Sequence, residues 1–374
     1  MSVAVDSGTP AAARTGPLAG LRVVEFAGLG PGPFACMLLA DMGAEVVRID
    51  RPGKRLGDRT DIIGRGREVV LADLKQPADR EAVHRLLAQA DVLVEGFRPG
   101  VMERLGFGPA EVHAYNPRLV YGRITGWGQT GPLAQSAGHD INYIAITGAL
   151  HALGPAGGAP SVPLNLLGDY AGGSMFLVTG LLAALHERQA SGQGQVVDAA
   201  ITEGTLNLMS LFVSQSLRGS FTEQRGSNLL DGGAPFYGVY ETSDGGHLSV
   251  GALEPQFFAE LLQRLGLPAD LAAAQADRTR WPALRAALAG RIVQKTQAEW
   301  AALLEGTDAC ATPVIPLSQA PQHPQLVARE AFAEVDGVLQ PAPAPRFSRT
   351  PSRVGRGTAR QASGLAEVAA RWKG

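Results

Sequence analysis

The fold class follows from a short apolar run and a loop rich in glycine and proline: residues 21–34 read LRVVEFAGLGPGPF. The run Leu21–Phe26 has the length and the β-branched content of a buried strand. Pro33 fits the first turn of a following helix, where its missing N–H costs no hydrogen bond. The segment therefore predicts a strand, a tight turn and a helix, which together begin a βαβ unit.

The same alternation continues downstream. Further short apolar runs that indicate strands are Ala44–Ile49, Glu68–Leu71, Val92–Val94 and Leu119–Ile124. Between them, Ala78–Ala90 repeats apolar residues with the spacing of an amphipathic helix. We therefore predict a doubly wound α/β domain, Rossmann-like, whose largely parallel sheet is covered by helices on both faces.

The pattern changes after this part of the chain. Long helices are predicted over Tyr170–Ala190 and from Asp198 to about Leu217. Two alternating segments between Phe236 and Gly251 flank a Ser-Asp-Gly-Gly turn and predict a hairpin in a smaller α+β domain. The predicted organisation is a disordered N-terminal tail (1–17), a large α/β domain (18–217), a linker (218–235), a small domain (236–325) and a C-terminal return to the large domain (326–374).

Composition and charge exclude several classes of protein. The 374 residues carry a formal net charge of −2 with both signs spread along the chain, so we expect no nucleic-acid partner and no polybasic membrane surface. Cys36 and Cys310 are the only cysteines, and their wide separation supports neither a disulfide framework nor a zinc site. We find no signal peptide and no apolar run of bilayer-spanning length. We therefore expect a cytoplasmic protein without a metal.

The loop Gly28–Pro33 invites comparison with a dinucleotide-binding loop, since Asp50 follows it after ~20 residues at the end of the second strand. However, its glycines stand at every second position instead of in the GxGxxG spacing. Two prolines also remove backbone N–H groups that would bind a pyrophosphate. We therefore interpret the loop as a tight strand-to-helix turn, which is compatible with a different ligand at the carboxyl edge of the sheet.

Basic residues follow the ends of predicted strands. Arg51 follows the second strand, Lys75 the third and Arg98 the fourth, with Arg104 further along the chain. Because the carboxyl ends of parallel strands share one edge, a nucleotide polyphosphate bound there would contact this row of cations. Each of them alone could equally lie in solvent, but together they indicate an anion site.

Two glycine-flanked motifs place titratable side chains at predicted helix starts: SAGHDINY over residues 136–143 and NLLGDYAGG over residues 165–173. Glycine lets a ligand approach the backbone closely, and free amides at a helix start can stabilise an oxyanion. Taken singly, His139 could be a hydrogen-bonded core histidine and Asp169 a plain N-cap. None of the other histidines has a glycine-flanked acid as a plausible catalytic partner.

Longer motifs carry a resemblance that runs nearly end to end. They are VEFAGLGPGPF (24–34), LADMGA with RIDRPG (39–44 and 48–53), GHDINY (138–143) and GDYAGGSM (168–175). Together they resemble the α-methylacyl-CoA racemases of the family III CoA-transferase superfamily. The resemblance implies a large α/β domain, a small domain and an interlocked homodimer in which each active site lies between subunits.

The resemblance also implies the chemistry and its residues. It implies exchange of the α-proton of a 2-methylacyl-CoA through an enolate, with no metal and no organic cofactor, coenzyme A being part of the substrate. His139 and Asp169 fall on the catalytic pair, and Glu254 falls on an acid of the small domain. The implied CoA-binding residues are Arg51, Ala72, Asp73, Leu74, Lys75, Gly96, Phe97, Arg98, Arg104, Gly138, Asp140, Ile141, Asn142 and Tyr143.

Racemisation by two bases has physical requirements of its own. One group must lie on each face of the α-carbon, one ionised and the other protonated, and these states swap when the direction reverses. Burial brings the proton affinities of the two groups closer together, because it raises the pKa of an aspartate and lowers that of a histidine. We hypothesise that Asn165 and Glu254 orient the pair, although Glu254 could simply be an acid at a helix start. Met175, Met209 and Leu206–Val213 could form an apolar floor for the acyl chain, or belong to the core.

Two alternative functions stay open. A CoA transferase of the same superfamily would use Asp169 as an acyl-accepting nucleophile that forms a mixed anhydride. Two features favour the racemase: His139 stands where transferases generally lack a histidine, and the glycine-rich loop expected before the small domain is reduced to Asp231–Pro235. A CoA-binding protein without turnover is the other alternative, and the intact His139 and Asp169 argue against it.

Overall fold

A computed structural model of the chain describes residues 15–373. Of the predicted N-terminal tail, residues 1–14 lie outside the described residues. The chain folds into two compact units, each with most of its residue contacts within itself. The large unit contains the residues up to Thr147, Leu164–Leu208 and the residues from Pro324 onward, and the small unit contains Gly148–Pro163 and Met209–His323.

The secondary-structure elements are numbered in chain order. The strands are β1 (Arg22–Phe26), β2 (Glu45–Asp50), β3 (Arg67–Leu71), β4 (Val92–Glu95), β5 (Val120–Thr125), β6 (Val196–Ala200), β7 (Tyr237–Glu241), β8 (His247–Gly251), β9 (Ala311–Pro313), β10 (Phe332–Val335) and β11 (Val338–Pro341). The α-helices are α1 (Pro31–Asp41), α2 (Pro77–Leu87), α3 (Val101–Leu105), α4 (Pro109–Tyr115), α5 (Asp140–Ala145), α6 (Ala149–Ala152), α7 (Met175–Ser191), α8 (Ile201–Leu208), α9 (Ser210–Leu217), α10 (Pro255–Leu265), α11 (Trp281–Ile292), α12 (Gln297–Leu304), α13 (Pro324–Ala328) and α14 (Leu365–Arg371). A π-helical turn, Leu166–Ser174, precedes α7.

The large unit is built on a six-stranded parallel sheet in the order β3-β2-β1-β4-β5-β6, which confirms the doubly wound α/β prediction. The carboxyl ends of all these strands therefore lie along one edge. The edge strand β6 is a correction, because we predicted a helix from Asp198, whereas the helix begins at Ile201. Asp198 pairs with Arg123 of β5, so sheet pairing outweighs the helical pattern of the local sequence.

Helices cover both faces of this sheet. On one face α2, α3, α4 and α14 enclose a core that includes Val24, Leu93 and Tyr121. On the other face α1 and α7 pack over Val23 and Val92. Successive residues of one strand enter opposite cores, as the two-residue period of a strand requires. The buried α14 contacts α2, so the C-terminal residues belong to the large unit.

The stretch Leu166–Ser191 is long and apolar enough to cross a membrane by length and composition alone. Our prediction that no apolar run reaches this length is therefore wrong. One side of the stretch is part of the core: Leu177 and Leu181 are fully buried, and each lies close to Gly122 of β5. Only 39% of an apolar 18-residue segment within this stretch is buried, and Met175 is 49% exposed. The stretch is thus a core helix with an apolar outer side.

The small unit contains an antiparallel sheet in the order β7-β8-β9. Strands β7 and β8 form the predicted hairpin, and α10, α11 and α12 close a core around Phe258 and Trp300. The contacts group residues 148–163 and 209–217 with this unit, whereas we predicted that they belong to the large domain. The sequence pattern identifies helices and strands but not the core against which each of them packs. The boundaries of the two units therefore differ from the predicted domain boundaries.

The predicted linker 218–235 is a folded loop of the small unit. Asn228 is buried, and its side chain donates to the Asp231 carboxylate at 2.8 Å. The same carboxylate accepts the backbone N–H groups of Gly226 and Gly233. The low apolar content of this segment therefore reflects a polar turn network in which side chains bind the backbone, rather than an extended connection.

Candidate active site

His139 stands immediately before α5, at a helix start as predicted. Its backbone N–H donates to Oδ1 of Asn142 at 3.0 Å, which holds the backbone of this residue, while its side chain is exposed. The hydroxyl of Tyr143 donates to the carbonyl of Gly138, the residue before the histidine. Trp127 packs edge-on against the Tyr143 ring with 4.9 Å between ring centroids. The helix start and this aromatic pair together set the position of the His139 backbone.

Asp169 lies in the middle of the π-helical turn Leu166–Ser174. We predicted that it stands at the mouth of a helix, and this is wrong because the helical turn begins three residues earlier. The turn packs so closely that a Cβ added at Gly172 would lie 2.4 Å from Oγ1 and 2.9 Å from the backbone N of the buried Thr205. π-helical turns are rare and occur frequently at functional sites.

The loop Gly28–Pro33 forms one wall around Asp169. The Ser174 hydroxyl shares its single proton between two carbonyls, that of Pro31 at 2.8 Å and that of Asp169 at 3.0 Å. A Cβ added at Gly30 would lie 2.9 Å from Oδ2 of Asp169, so the bare backbone of the loop approaches the carboxylate. The strand-to-helix turn interpreted above as a structural feature is therefore part of the site.

The Asp169 carboxyl is half-buried, and its pKa is raised above the usual value of an aspartate. Loss of solvation on burial is the largest cause, and the negative charge of Asp140 also raises the pKa. A hydrogen bond from Nδ2 of Asn165, at 3.4 Å, and the charge of His139 lower it. The side chain of Asp140, the residue after His139, accepts the backbone N–H of Asp169 at 2.6 Å, so the fold brings the two segments of the predicted pair together.

A cleft of about 480 Å³ opens beside His139 within the large unit. It is lined by residues that follow β4 and β5 and by residues that precede and begin α5. The predicted CoA-binding residues that line it are Gly96, Phe97, Arg98, Gly138, Asn142 and Tyr143. Arg98 is exposed, and its positive charge lowers the pKa of Tyr143, which burial and Asp169 together raise. A cation and a histidine therefore belong to the same cleft.

The other predicted CoA-binding residues lie outside the lining of this cleft. Arg51 follows β2, and the segment Ala72, Asp73, Leu74 and Lys75 follows β3, so both lie at the carboxyl edge of the sheet. Arg104 belongs to α3, and Ile141 belongs to α5 and is exposed. Asp140 differs from the rest of the set, because it is buried and its carboxylate binds the protein backbone.

Glu254 belongs to the small unit, where it immediately precedes α10. The pKa of Cys310 is raised by burial first and by the negative charge of Glu254 second. Both cysteines, Cys36 and Cys310, are free. The predicted role of Glu254 toward His139 and Asp169 stays a prediction.

Three contributors to the site escaped sequence reasoning. Gly30 approaches the Asp169 carboxylate, Ser174 binds its backbone, and Trp127 packs beside the helix start of His139. Gly30 and Ser174 stood inside motifs that carried the family resemblance, but the resemblance assigned them no role. Gly30 contacts Asp169, and Ser174 also contacts Pro31; each of these contacts joins residues far apart in sequence, so only the folded chain reveals it.

Comparison with known proteins agrees with the fold and identifies the family. A model of CoA-transferase family III matches residues 18–359. The alpha-methylacyl-CoA racemases of Homo sapiens and Mus musculus are 44% and 45% identical over 336 residues, which is 90% of this chain and 87% of each relative. A CAIB/BAIF family protein from Brucella suis, at 26% identity, gives a TM-score of 0.79 over 96% of this chain and 99% of its own. The resemblance inferred from the motifs is confirmed, and the chain belongs to CoA-transferase family III.

Proposed function

We propose that this chain is a racemase that interconverts the (R) and (S) forms of 2-methylacyl-CoA thioesters by exchange of the α-proton. Relatives named alpha-methylacyl-CoA racemase at 44% and 45% identity support this activity. The structural observation that carries the proposal is the placement of His139, which lines the cleft, beside a segment joined to Asp169 by the hydrogen bond from the Asp169 backbone N–H to Asp140. A carboxyl with a raised pKa, like that of Asp169, is typical of acid–base sites.

The proposed reaction needs two proton transfers. One deprotonated base, a neutral imidazole or a carboxylate, breaks the α-C–H bond and takes the proton, and the electron pair of that bond delocalises onto the thioester oxygen as an enolate. The protonated partner then delivers its proton to the opposite face of the α-carbon, which restores the thioester with inverted configuration. Burial of Asp169 raises its pKa toward that of a histidine, so either direction requires a smaller free-energy difference between the two protonation states.

We propose that the CoA part of the substrate lies along the carboxyl edge of the sheet. Arg51 and Lys75 follow the neighbouring strands β2 and β3, Arg98 follows β4 on the far side of β1, and all three side chains are exposed. Guanidinium and ammonium groups suit the phosphates of CoA. Beyond the CoA of the substrate, the proposed reaction uses no cofactor, and activity should survive treatment with a metal chelator.

We also propose a homodimer that covers the outer side of Leu166–Ser191 and α8. Met175 is 49% exposed and Leu206 is 52% exposed, although apolar patches of this kind are seldom left open to water. A bilayer is a poor partner for this stretch, because it contains Asp169 and ends near the charged Glu187 and Arg188. Light scattering should give twice the mass of one chain, and a fully active monomer would contradict the proposal.

The deciding experiment follows the α-proton by NMR. A single enantiomer of a 2-methylacyl-CoA is incubated with the protein in D₂O, without any added acid. Exchange of the α-proton together with inversion is the expected result, and it should be lost in both His139→Ala and Asp169→Ala. If reaction begins only when a free carboxylic acid is added, the chain is a CoA transferase and Asp169 is its nucleophile.

A further inference from the structure

The residue after His139 is an aspartate whose side chain is directed into the protein. Asp140 is 6% exposed, and its Oδ2 accepts the backbone N–H of Asp169 at 2.6 Å. One carboxylate is therefore adjacent in sequence to the first proposed base and hydrogen-bonded to the backbone of the second.

The contact between this carboxylate and the π-helical turn is close. A Cβ added at Gly168 would lie 2.5 Å from Oδ2 and 2.7 Å from Cγ of Asp140. The absence of a side chain at position 168 thus lets the carboxylate reach the Asp169 peptide. Because the hydrogen bond has a charged acceptor, it is stronger than one between neutral groups and restricts movement of the turn.

Stabilisation of the start of its own helix, α5, does not account for this placement. An acidic side chain in the first turn of a helix stabilises the positive N-terminal end of the helix dipole from an exposed position, and it does not need to be buried. Here Oδ1 of Asp140 is buried without a hydrogen-bond partner among the described residues, which is an unfavourable state for a carboxylate oxygen. A buried charge that is only partly satisfied is the kind of group that is found where function requires it.

We propose that Asp140 is a positioning residue that holds Asp169 at a set distance from His139 and keeps a negative charge beside the Asp169 carboxyl. The kinetic consequence of this inference rests on the racemase activity proposed above, whereas its structural consequence does not. It also replaces the CoA-binding role that the family resemblance implied for Asp140.

The charges around Asp169 support an electrostatic role for Asp140. Among the charged groups of the site, Asp140 raises the pKa of the Asp169 carboxyl and His139 lowers it. Tyr143 and Asp169 also interact, since the carboxylate raises the pKa of the phenol. The other elements packed against the turn carry the following titratable side chains: Cys36 and Asp41 on α1, His186, Glu187 and Arg188 on α7, Tyr121 and Arg123 on β5, Asp198 on β6 and Glu203 on α8.

The kinetic test uses two variants and a control. Asp140→Ala removes the acceptor and should lower kcat roughly 100-fold without raising KM, because misplacement of a catalytic group by ~1 Å costs about this much. Asp140→Asn keeps an acceptor oxygen, so it should lose less activity, and removal of the charge should move the acidic limb of the pH profile to lower pH. Glu367→Gln, which alters an exposed acid in the first turn of α14, should change neither property. A raised KM with native kcat would return Asp140 to CoA binding and overturn the inference.

A second test does not depend on turnover. In protein labelled with ¹³C at aspartate carboxyls, Asp169→Asn identifies the Asp169 resonance by its loss. The pKa read from this resonance should be lower in Asp140→Asn than in the native protein, and an equal value would overturn the inference. If the native protein fails to racemise any thioester, the proposed function fails, yet this titration still decides the role of Asp140.

Discussion

The segments 138–143 and 165–174 carry the two proposed bases and look alike in sequence, yet they differ in secondary structure and in burial. Both place a titratable side chain among glycines. His139 is an exposed residue at the start of a six-residue helix. Asp169 is half-buried inside a π-helical turn that packs against α1, α5, α7 and α8. The first segment lines an open cleft, whereas the second holds its side chain half-buried.

This difference indicates which of the two segments provides the environment that shifts a pKa in the site. An exposed imidazole has water for most of its solvation, while a half-buried carboxyl depends on its protein neighbours. Burial and Asp140 raise the pKa of Asp169, and Asn165 and His139 lower it. We infer that the π-helical turn supplies the environment that adjusts the proton affinity of Asp169.

The largest effects are expected from removal of either base. Asp169→Asn and His139→Ala should each lower the rate of α-proton exchange by roughly 1,000-fold, within the usual contribution of a general acid or base. Asp169→Asn keeps the size of the side chain, so its circular dichroism spectrum should stay native. If one variant kept near-native inversion, the two segments would not share the reaction and the comparison would fail.

Close packing of the π-helical turn predicts a large effect on stability. In Gly172→Ala the new methyl group would meet the side chain and backbone of buried Thr205, so the free energy of unfolding should fall by about 1–3 kcal/mol. The matched control is Gly290→Ala in α11, where an added Cβ meets nothing within 4 Å. That substitution should raise the free energy of unfolding by up to about 1 kcal/mol. Urea denaturation measures both, and equal behaviour would mean that the turn is not tightly packed.

The cleft beside His139 predicts a smaller effect on binding. Arg98→Ala should raise KM for the CoA thioester roughly 10-fold with little change in kcat, because a hydrogen bond to a charged group contributes about 1.5–3 kcal/mol. Arg85→Ala provides the control, since this arginine is exposed on α2 and paired with Glu81. Steady-state kinetics separate KM from kcat, and a loss confined to kcat would remove Arg98 from substrate binding.

The smallest effect concerns pH. The amide of Asn165 donates to Asp169 and lowers its pKa, so Asn165→Ala should raise that pKa. Asp169 must be ionised to accept a proton, and the acidic limb of the rate profile should therefore move to higher pH. The hydrogen bond is long at 3.4 Å, so we expect a shift below ~1 pH unit. A shift to lower pH would show that the amide does not stabilise the carboxylate.

Sequence reasoning predicted the elements of the large unit well where the apolar pattern was unambiguous. Strands β1 to β5 lie within a residue of the predicted runs, and the hairpin of β7 and β8 is present. Strand β6 was missed because its residues also fit the start of the following helix, and only pairing with β5 decides between the two. The folded loop 218–235 was taken for a linker because polar networks have no periodicity to detect.

The sequence by itself determined the parallel α/β fold, the family and the identity of the two proposed bases. These properties depend on local periodicity and on motifs that are contiguous in the chain. The tertiary structure alone decided that Asp169 lies in a π-helical turn, that Gly30 and Asp140 contact it and that an apolar helix side stays exposed. Such properties depend on distances between residues far apart in sequence and on loss of solvent, because a carboxyl group changes its proton affinity only when the fold removes water and supplies neighbours.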